Sequence, residues 1–331
     1  MHPQQTRQNI KNIITAITEQ EQHVRNKYGI LKYQNHISIV ILLFSLFGML
    51  SVGLLYIIGE INGWVAIFSA AFFASISHEL EHDLIHRQYF KSNPLVHNMM
   101  MLIVWLMRPN TISPWYRKRI HLHHHKVSGT EQDIEERLVG NGIKNPLLRV
   151  LVISDGLLGL ILQRRRYQRE INGFSFFCIF NAGFPIATCN FLILYFAIIF
   201  HCFDFISNGR FEYSALLNNA IQWVDTVMVI LILPNLLRSF CLNLITSSMH
   251  YYGGVNNVLQ QTQVLNHWLL FPFQLFCFNF GVTHTIHHFV PNQPFYIRQL
   301  IAKRILPVLK QNNVRFNDFE SLKNANLYSP N

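Results

Sequence analysis

INGWVAIFSAAFFASISHELEHDLIH, residues 61–86, holds two opposite tendencies in one run. Residues 61–77 contain no Asp, Glu, Lys or Arg, and a helix that crosses a bilayer needs about 17–25 such residues. The nine residues that follow place His78, His82 and His86 four apart. On a helix, positions four apart lie on one face. One helix would therefore leave a membrane and end in a stripe of imidazoles, the neutral nitrogen donors that bind iron, zinc or copper.

Two more windows repeat the pattern. His121-Leu-His123-His124-His125 lies mid-chain and His284-Thr-Ile-His287-His288 near the end, so ten of the 17 histidines fall in three short windows. Burying so many polar rings costs free energy that a bound metal would return. In each HxxHH box the first and fourth positions are expected to share a face, with the fifth turned about 100° away, so that one box can serve two metals. His123 breaks this register and is not expected to ligate. Box one has two HxxxH readings, His78/His82 and His82/His86. The second is preferred and His78 is kept as an alternative ligand. His2, His23, His36 and His201 read as isolated structural residues, and His97 and His267 as structural or supporting ones.

Charged residues are only 13% of the 331, against about 25% in soluble domains. Residues 37–59, 61–77, 173–200 and roughly 216–239 read as four spans. Residues 98–107 are too short to span, and 146–163 contain Arg149 and Asp155, so both read as interfacial or re-entrant helices. The net charge of +10 does not imply nucleic acid, because of where the charge lies. The two loops on one side of the four spans hold a single basic residue, Arg210, while nearly all the others, Arg164-Arg165-Arg166 among them, lie on the opposite side. That asymmetry puts both termini and all three boxes in the cytosol, with membrane lipid as the partner of the basic residues.

The first 36 residues are mostly polar, so no signal peptide is expected. Five scattered cysteines form no CxxC pair and no disulfide framework. Ile10, Ile13, Ile14 and Ile17 recur at helical spacing in an N-terminal arm (residues 1–36). Ile297, Leu300, Ile301 and Ile305 do the same where the C-terminal cytosolic tail (299–331) begins. Each stripe suits either a membrane surface or packing against the cytosolic face. The expectation is one domain over residues 1–331: an all-α integral membrane protein with about four transmembrane helices and a cytosolic histidine-box cap.

The boxes resemble those of the membrane fatty acid desaturase/hydroxylase superfamily, the three-histidine-box non-haem diiron enzymes. The resemblance runs over about residues 60–298. It rests on His82-Asp-Leu-Ile-His86-Arg, on Arg119-Ile-His121-Leu-His-His124-His125 followed by Gly129-Thr130 and Asp133, and on Asn279-Phe-Gly-Val-Thr-His284-Thr-Ile-His287-His288-Phe-Val-Pro291. It implies that His82, His86, His121, His124, His125, His284, His287 and His288 ligate two iron ions, with His250 as a further ligand and O2 as co-substrate. Some relatives carry an asparagine one turn before the residue matching His250, where this chain has Thr246. Glu79, Glu81, Asp83 and Asp133 would either orient the ligand rings or face solvent.

The implied activity is an O2-dependent oxidoreductase that introduces a double bond into a fatty acyl chain of a lipid or thioester. The alternative is an alkane, lipid or carotenoid hydroxylase or ketolase of the same superfamily. A membrane metal transporter is the remaining reading, but it would need polar ligands inside the spans, where this chain has few. With no His-Pro-Gly-Gly haem motif and no CxxC cluster, electrons are expected from a separate ferredoxin or cytochrome. The setting would be a bacterial inner membrane or endoplasmic reticulum.

Overall fold

A computed structural model describes residues 3–328, so His2 lies outside the described residues. The chain begins with α1 (Pro3–Lys27) and then forms a hairpin of two long helices, α2 (Gln34–Ile57) and α3 (Gly63–Ile85). Six shorter helices follow: α4 (Pro94–Leu106), α5 (Pro114–Val127), α6 (Ile134–Leu138), α7 (Pro146–Ser154), α8 (Gly156–Glu170) and α9 (Phe176–Ala182). A second long hairpin pairs α10 (Ile186–Ser207) with α11 (Ala215–Val227), which passes through a π-helical turn, Met228–Ile232, into α12 (Leu233–Met249). The chain closes with α13 (Phe271–Leu275), α14 (Phe280–Phe289), α15 (Phe295–Gln311) and α16 (Phe319–Lys323). The described residues form helices and no strand.

Four helices are long and apolar enough to cross a membrane: α2, α3, α10 and the continuous Ala215–Met249. Much of their apolar surface faces outward, as at Phe44, Phe47, Leu192, Ile199 and Phe205. Such a surface suits lipid and would be an aggregation liability in water. The most enclosed is α3. Ala66, Ala70, Ala71 and Ala74 are fully buried along it, and side chains this small let α2 and α12 pack close.

Span boundaries differ from the sequence expectation, the third span running on to Ser207 rather than residue 200. The third span starts at Ile186 rather than residue 173, because Gly183-Phe184-Pro185 separates it from α9. A residue before proline is pushed out of the helical region. The fourth span does not stop near residue 239 but continues to Met249. Arg238, within this span, is buried and bonded to Asn235, Asn110 and Ser239. The short segments behave as expected for non-spanning helices: α4 is 13 residues long, and Asp155 breaks the 146–163 region into α7 and α8.

The two isoleucine stripes pack against each other. Ile13 and Ile17 of α1 are buried in one cluster with Ile297, Ile301 and Ile305 of α15. The cluster also takes in Ile286 and Phe289 of α14, so both terminal helices brace the helix that carries box three.

Candidate metal centre

Each box sits where local sequence starts or ends a helix. Box one occupies the last turns of α3. Box two rides on α5, where Ser113 accepts a hydrogen bond from the Tyr116 amide at 3.4 Å and Pro114 takes the first helical position, an order that favours a helix start. Box three lies on α14, which begins after Asn279 in the left-handed conformation (φ 59°) and makes an angle of 83° with Trp268–Leu275. His250 immediately follows α12.

The three boxes and His250 converge. His82, His86, His121 and His287 place one ligand nitrogen each within 4.8 Å of one another, and His124, His250, His284 and His288 form a second such group. His125 stands beside the first, its Nε2 3.2 Å from that of His121 and 3.0 Å from that of His287. Other close pairs are His86 with His121 at 3.0 Å and His250 with His288 at 3.1 Å, again between Nε2 atoms. Two nitrogens each ~2.1 Å from one ion and about 90–100° apart are themselves about 3.0–3.2 Å apart. Among the described residues, both nitrogens of His82 and Nε2 of His124 are buried without a protein partner, a cost of about 1–3 kcal/mol each unless a ligand takes them. The donor set therefore fits two metal ions.

The boxes do split between two clusters, but along a different seam from the one expected. Within each box the first and fifth residues stay together and the fourth crosses over: His121 and His125 against His124, His284 and His288 against His287. At about 100° per residue, position i+4 returns to within about 40° of i, whereas i+3 stops about 60° short on the other side. His123 is exposed, pointing away from both clusters. Neither cluster includes His78. Its Nδ1 receives Arg108 Nη1 and Arg117 Nη1, each at 3.3 Å.

The ring nitrogens facing away from the clusters meet oxygen acceptors. Nδ1 of His121 lies 2.7 Å from Glu135 Oε2, Nδ1 of His124 2.8 Å from Asp133 Oδ2, and Nδ1 of His288 2.9 Å from Gln261 Oε1. Nδ1 of His250 lies 2.8 Å from the Thr246 carbonyl oxygen, with Glu136 Oε2 3.3 Å away. An acceptor at Nδ1 keeps the proton there and leaves the Nε2 lone pair for metal. His287 differs, since Arg298 Nη1 donates to its Nδ1 at 2.7 Å. Arg298 is itself buried against Glu79 and Asp83, each at 3.3 Å.

Burial keeps most of these rings neutral. It pushes His121, His125, His284, His287 and His288 well below the usual histidine range, and neighbouring imidazoles add to the effect. Burial, then His121 and Arg298, lowers His86 to about 2. At His124 burial also pulls downward, but the attraction and hydrogen bond of Asp133 outweigh it and raise the ring to about 9.

The four acids singled out in the boxes are buried, not solvated: Glu79, Glu81, Asp83 and Asp133 are each at most 2% exposed. Only Asp133 touches a cluster histidine directly. Glu135, Glu136, Gln261 and Arg298 were not flagged by the sequence pattern, because they reach the rings from other segments. His97 bonds the Tyr89 carbonyl and His267 caps Leu269, so neither reaches a cluster.

A cavity of about 240 Å³ opens onto both clusters. His82, His121, His124 and His284 form one part of its wall, and Leu157, Leu160, Ile179, Phe191, Leu236 and Leu242 form the apolar remainder.

These features define a class: an integral membrane protein whose helix ends enclose two histidine clusters able to hold metal, beside an apolar cavity. The chain matches the fatty acid desaturase family over residues 61–320 and belongs to it. No curated protein matches the chain. Family membership implies a diiron oxidoreductase that handles fatty acyl substrate in a membrane.

Proposed function

We propose that this protein is an O2-dependent desaturase of fatty acyl chains, with iron held by His82, His86, His121, His125 and His287 at one site and by His124, His250, His284 and His288 at the other. The observation that carries the reading is the cavity whose wall joins imidazoles of both clusters to an apolar lining. When bound, the two irons supply the reduction of dioxygen that makes removal of hydrogen from an unactivated C–H bond favourable. Overall, one CH2–CH2 unit, O2, two electrons and two protons give one CH=CH unit and two waters.

The chain's own residues have defined tasks. Asp133, Glu135, Glu136, Gln261 and the Thr246 carbonyl hold the outward ring protons and fix the Nε2 lone pairs inward. Leu157, Leu160, Phe191 and Leu242 exclude water and lay a methylene chain along the wall. Position within this cavity decides whether a second hydrogen is removed or oxygen is inserted. Phe289 and Pro291 after box three resemble the desaturase pattern, which favours the alkene outcome over the hydroxylase alternative.

The distribution of basic residues supports placing the clusters and both termini on the cytosolic side, where a ferredoxin or cytochrome can deliver electrons. The test is expression in a host lacking desaturases, with lipid profiling by gas chromatography–mass spectrometry. The expected product is an acyl species two mass units lighter than its precursor, dependent on O2 and an electron donor. A product sixteen mass units heavier, with no alkene, overturns the desaturase assignment in favour of hydroxylation.

A further inference from the structure

Beside the metal clusters lies a second buried group that the ligand shells do not use. Arg238 is 1% exposed, inside the fourth span, and lines the cavity. Its protein partners are the neutral oxygens of Asn235, Asn110 and Ser239. Among the described residues no carboxylate lies within 4.0 Å of it, whereas buried Arg108 and Arg298 pair with Glu81 and with Glu79 and Asp83. A buried guanidinium without an anion is costly, and this one faces the space a substrate would fill.

His78 adds a second, independent sign. It is 1% exposed and lines the same cavity. Arg108 and Arg117 both donate to its Nδ1, so that atom is the acceptor and the ring proton sits on Nε2. Nε2 is buried with no partner among the described residues. It is therefore a hydrogen-bond donor held ready. The other charges on the cavity wall are already engaged: Arg117 with Glu81 and Glu135, Glu135 with His121, and Glu136 with Thr246 and His250. Apart from the cluster histidines, that leaves one uncompensated cation, Arg238, and one free N–H donor, His78 Nε2, lining the cavity.

We propose that Arg238 and the Nε2–H of His78 form an anion-accepting pole in the substrate cavity, and that its ligand is the carboxylate of an unesterified fatty acid. The inference rests on the acyl-substrate reading above and narrows it to chains that carry their own anionic head into the cavity. A neutral ester or alcohol head would leave the guanidinium unmatched. A charge-assisted pair in a desolvated site is roughly twice as strong as a neutral one. Binding should therefore discriminate between heads on the same chain.

The test is equilibrium binding to iron-loaded protein in uncharged detergent, kept anaerobic so that nothing turns over. Palmitate and hexadecanol are the probes, with sodium acetate and inorganic phosphate as headgroup-only arms. Wild type should bind palmitate about tenfold or more tightly than hexadecanol, with acetate and phosphate weak because they lack the chain. Arg238→Gln and His78→Phe should each lose most of that discrimination while hexadecanol binding stays within about twofold, which shows the cavity intact. Arg238→Lys should keep most of it. Equal affinities in wild type, binding of neither chain, or discrimination unchanged in Arg238→Gln would each overturn the proposal. Phosphate binding as tight as palmitate would assign the pole to a free anion and overturn the fatty acid assignment. Absence of an alkene product in the lipid profile would instead count against the desaturase reading and leave this binding result standing.

Discussion

Replacing Asp133 by asparagine separates metal positioning from folding. Asp133 has two tasks, one per oxygen. Oδ2 lies 2.8 Å from Nδ1 of His124, and Oδ1 accepts from the Glu136 amide at 3.3 Å as the N-cap of α6. Asparagine caps as well as aspartate, and losing the cap altogether costs about 1 kcal/mol. Losing the carboxylate behind a ligating histidine costs about 10–100-fold in metal affinity, or about 1.4–2.7 kcal/mol. Asp133→Asn should therefore weaken iron binding by that factor at the site containing His124, His250, His284 and His288 and leave the other site unchanged. Asp133→Ala should add the cap loss in thermal unfolding. The assay is anaerobic Fe(II) titration against a competing chelator.

A pH signature accompanies this. Asp133 raises His124 to about 9, above its ordinary value of 6.5. The stabilisation from its proton is thus full below pH 6.5 and is lost as pH rises through about 9. Metal must displace that proton, so wild-type affinity at this site should rise with pH up to about 9. In Asp133→Asn the rise should flatten above neutral pH. Equal weakening of both sites, or an unchanged pH dependence, would refute the assignment of Asp133 to a single metal site.

Two further predictions follow from the same geometry. Alanine at His124, His125, His287 or His288 should abolish activity with the protein still inserted in the membrane, whereas His123→Ala should retain activity, since His123 is exposed; an inactive His123→Ala would move the box-two register. Reporter fusions or cysteine labelling should place Arg164 and the C-terminus in the cytosol and Asn208 outside, and a cytosolic Asn208 would remove the four-span topology.

Hydropathy made the four spans legible, because lipid-facing and buried helix surfaces are both apolar. The boxes made the clustering of histidines legible, because imidazoles recurring every three or four residues leave few structural uses. What remained hidden depends on distance along the chain. Arg298, which holds His287, lies 219 residues from Glu79 and 215 from Asp83, and Glu136 meets Thr246 across 110 residues. No local period connects such pairs. The isoleucine stripes of α1 and α15 suited two environments equally, and only the fold shows that they meet each other. Arg238, a lone arginine in an apolar run, is buried and lines the cavity, a placement that no local pattern announces.

The central claim is that nine histidines, sorted by their side of three helices and one helix end, hold two iron ions. Anomalous diffraction at the iron edge, from protein prepared anaerobically with iron available, tests it directly. Two peaks are predicted: one enclosed by His82, His86, His121, His125 and His287, the other by His124, His250, His284 and His288. A single peak, a peak ligated by His78, or zinc at one equivalent with no iron would contradict it.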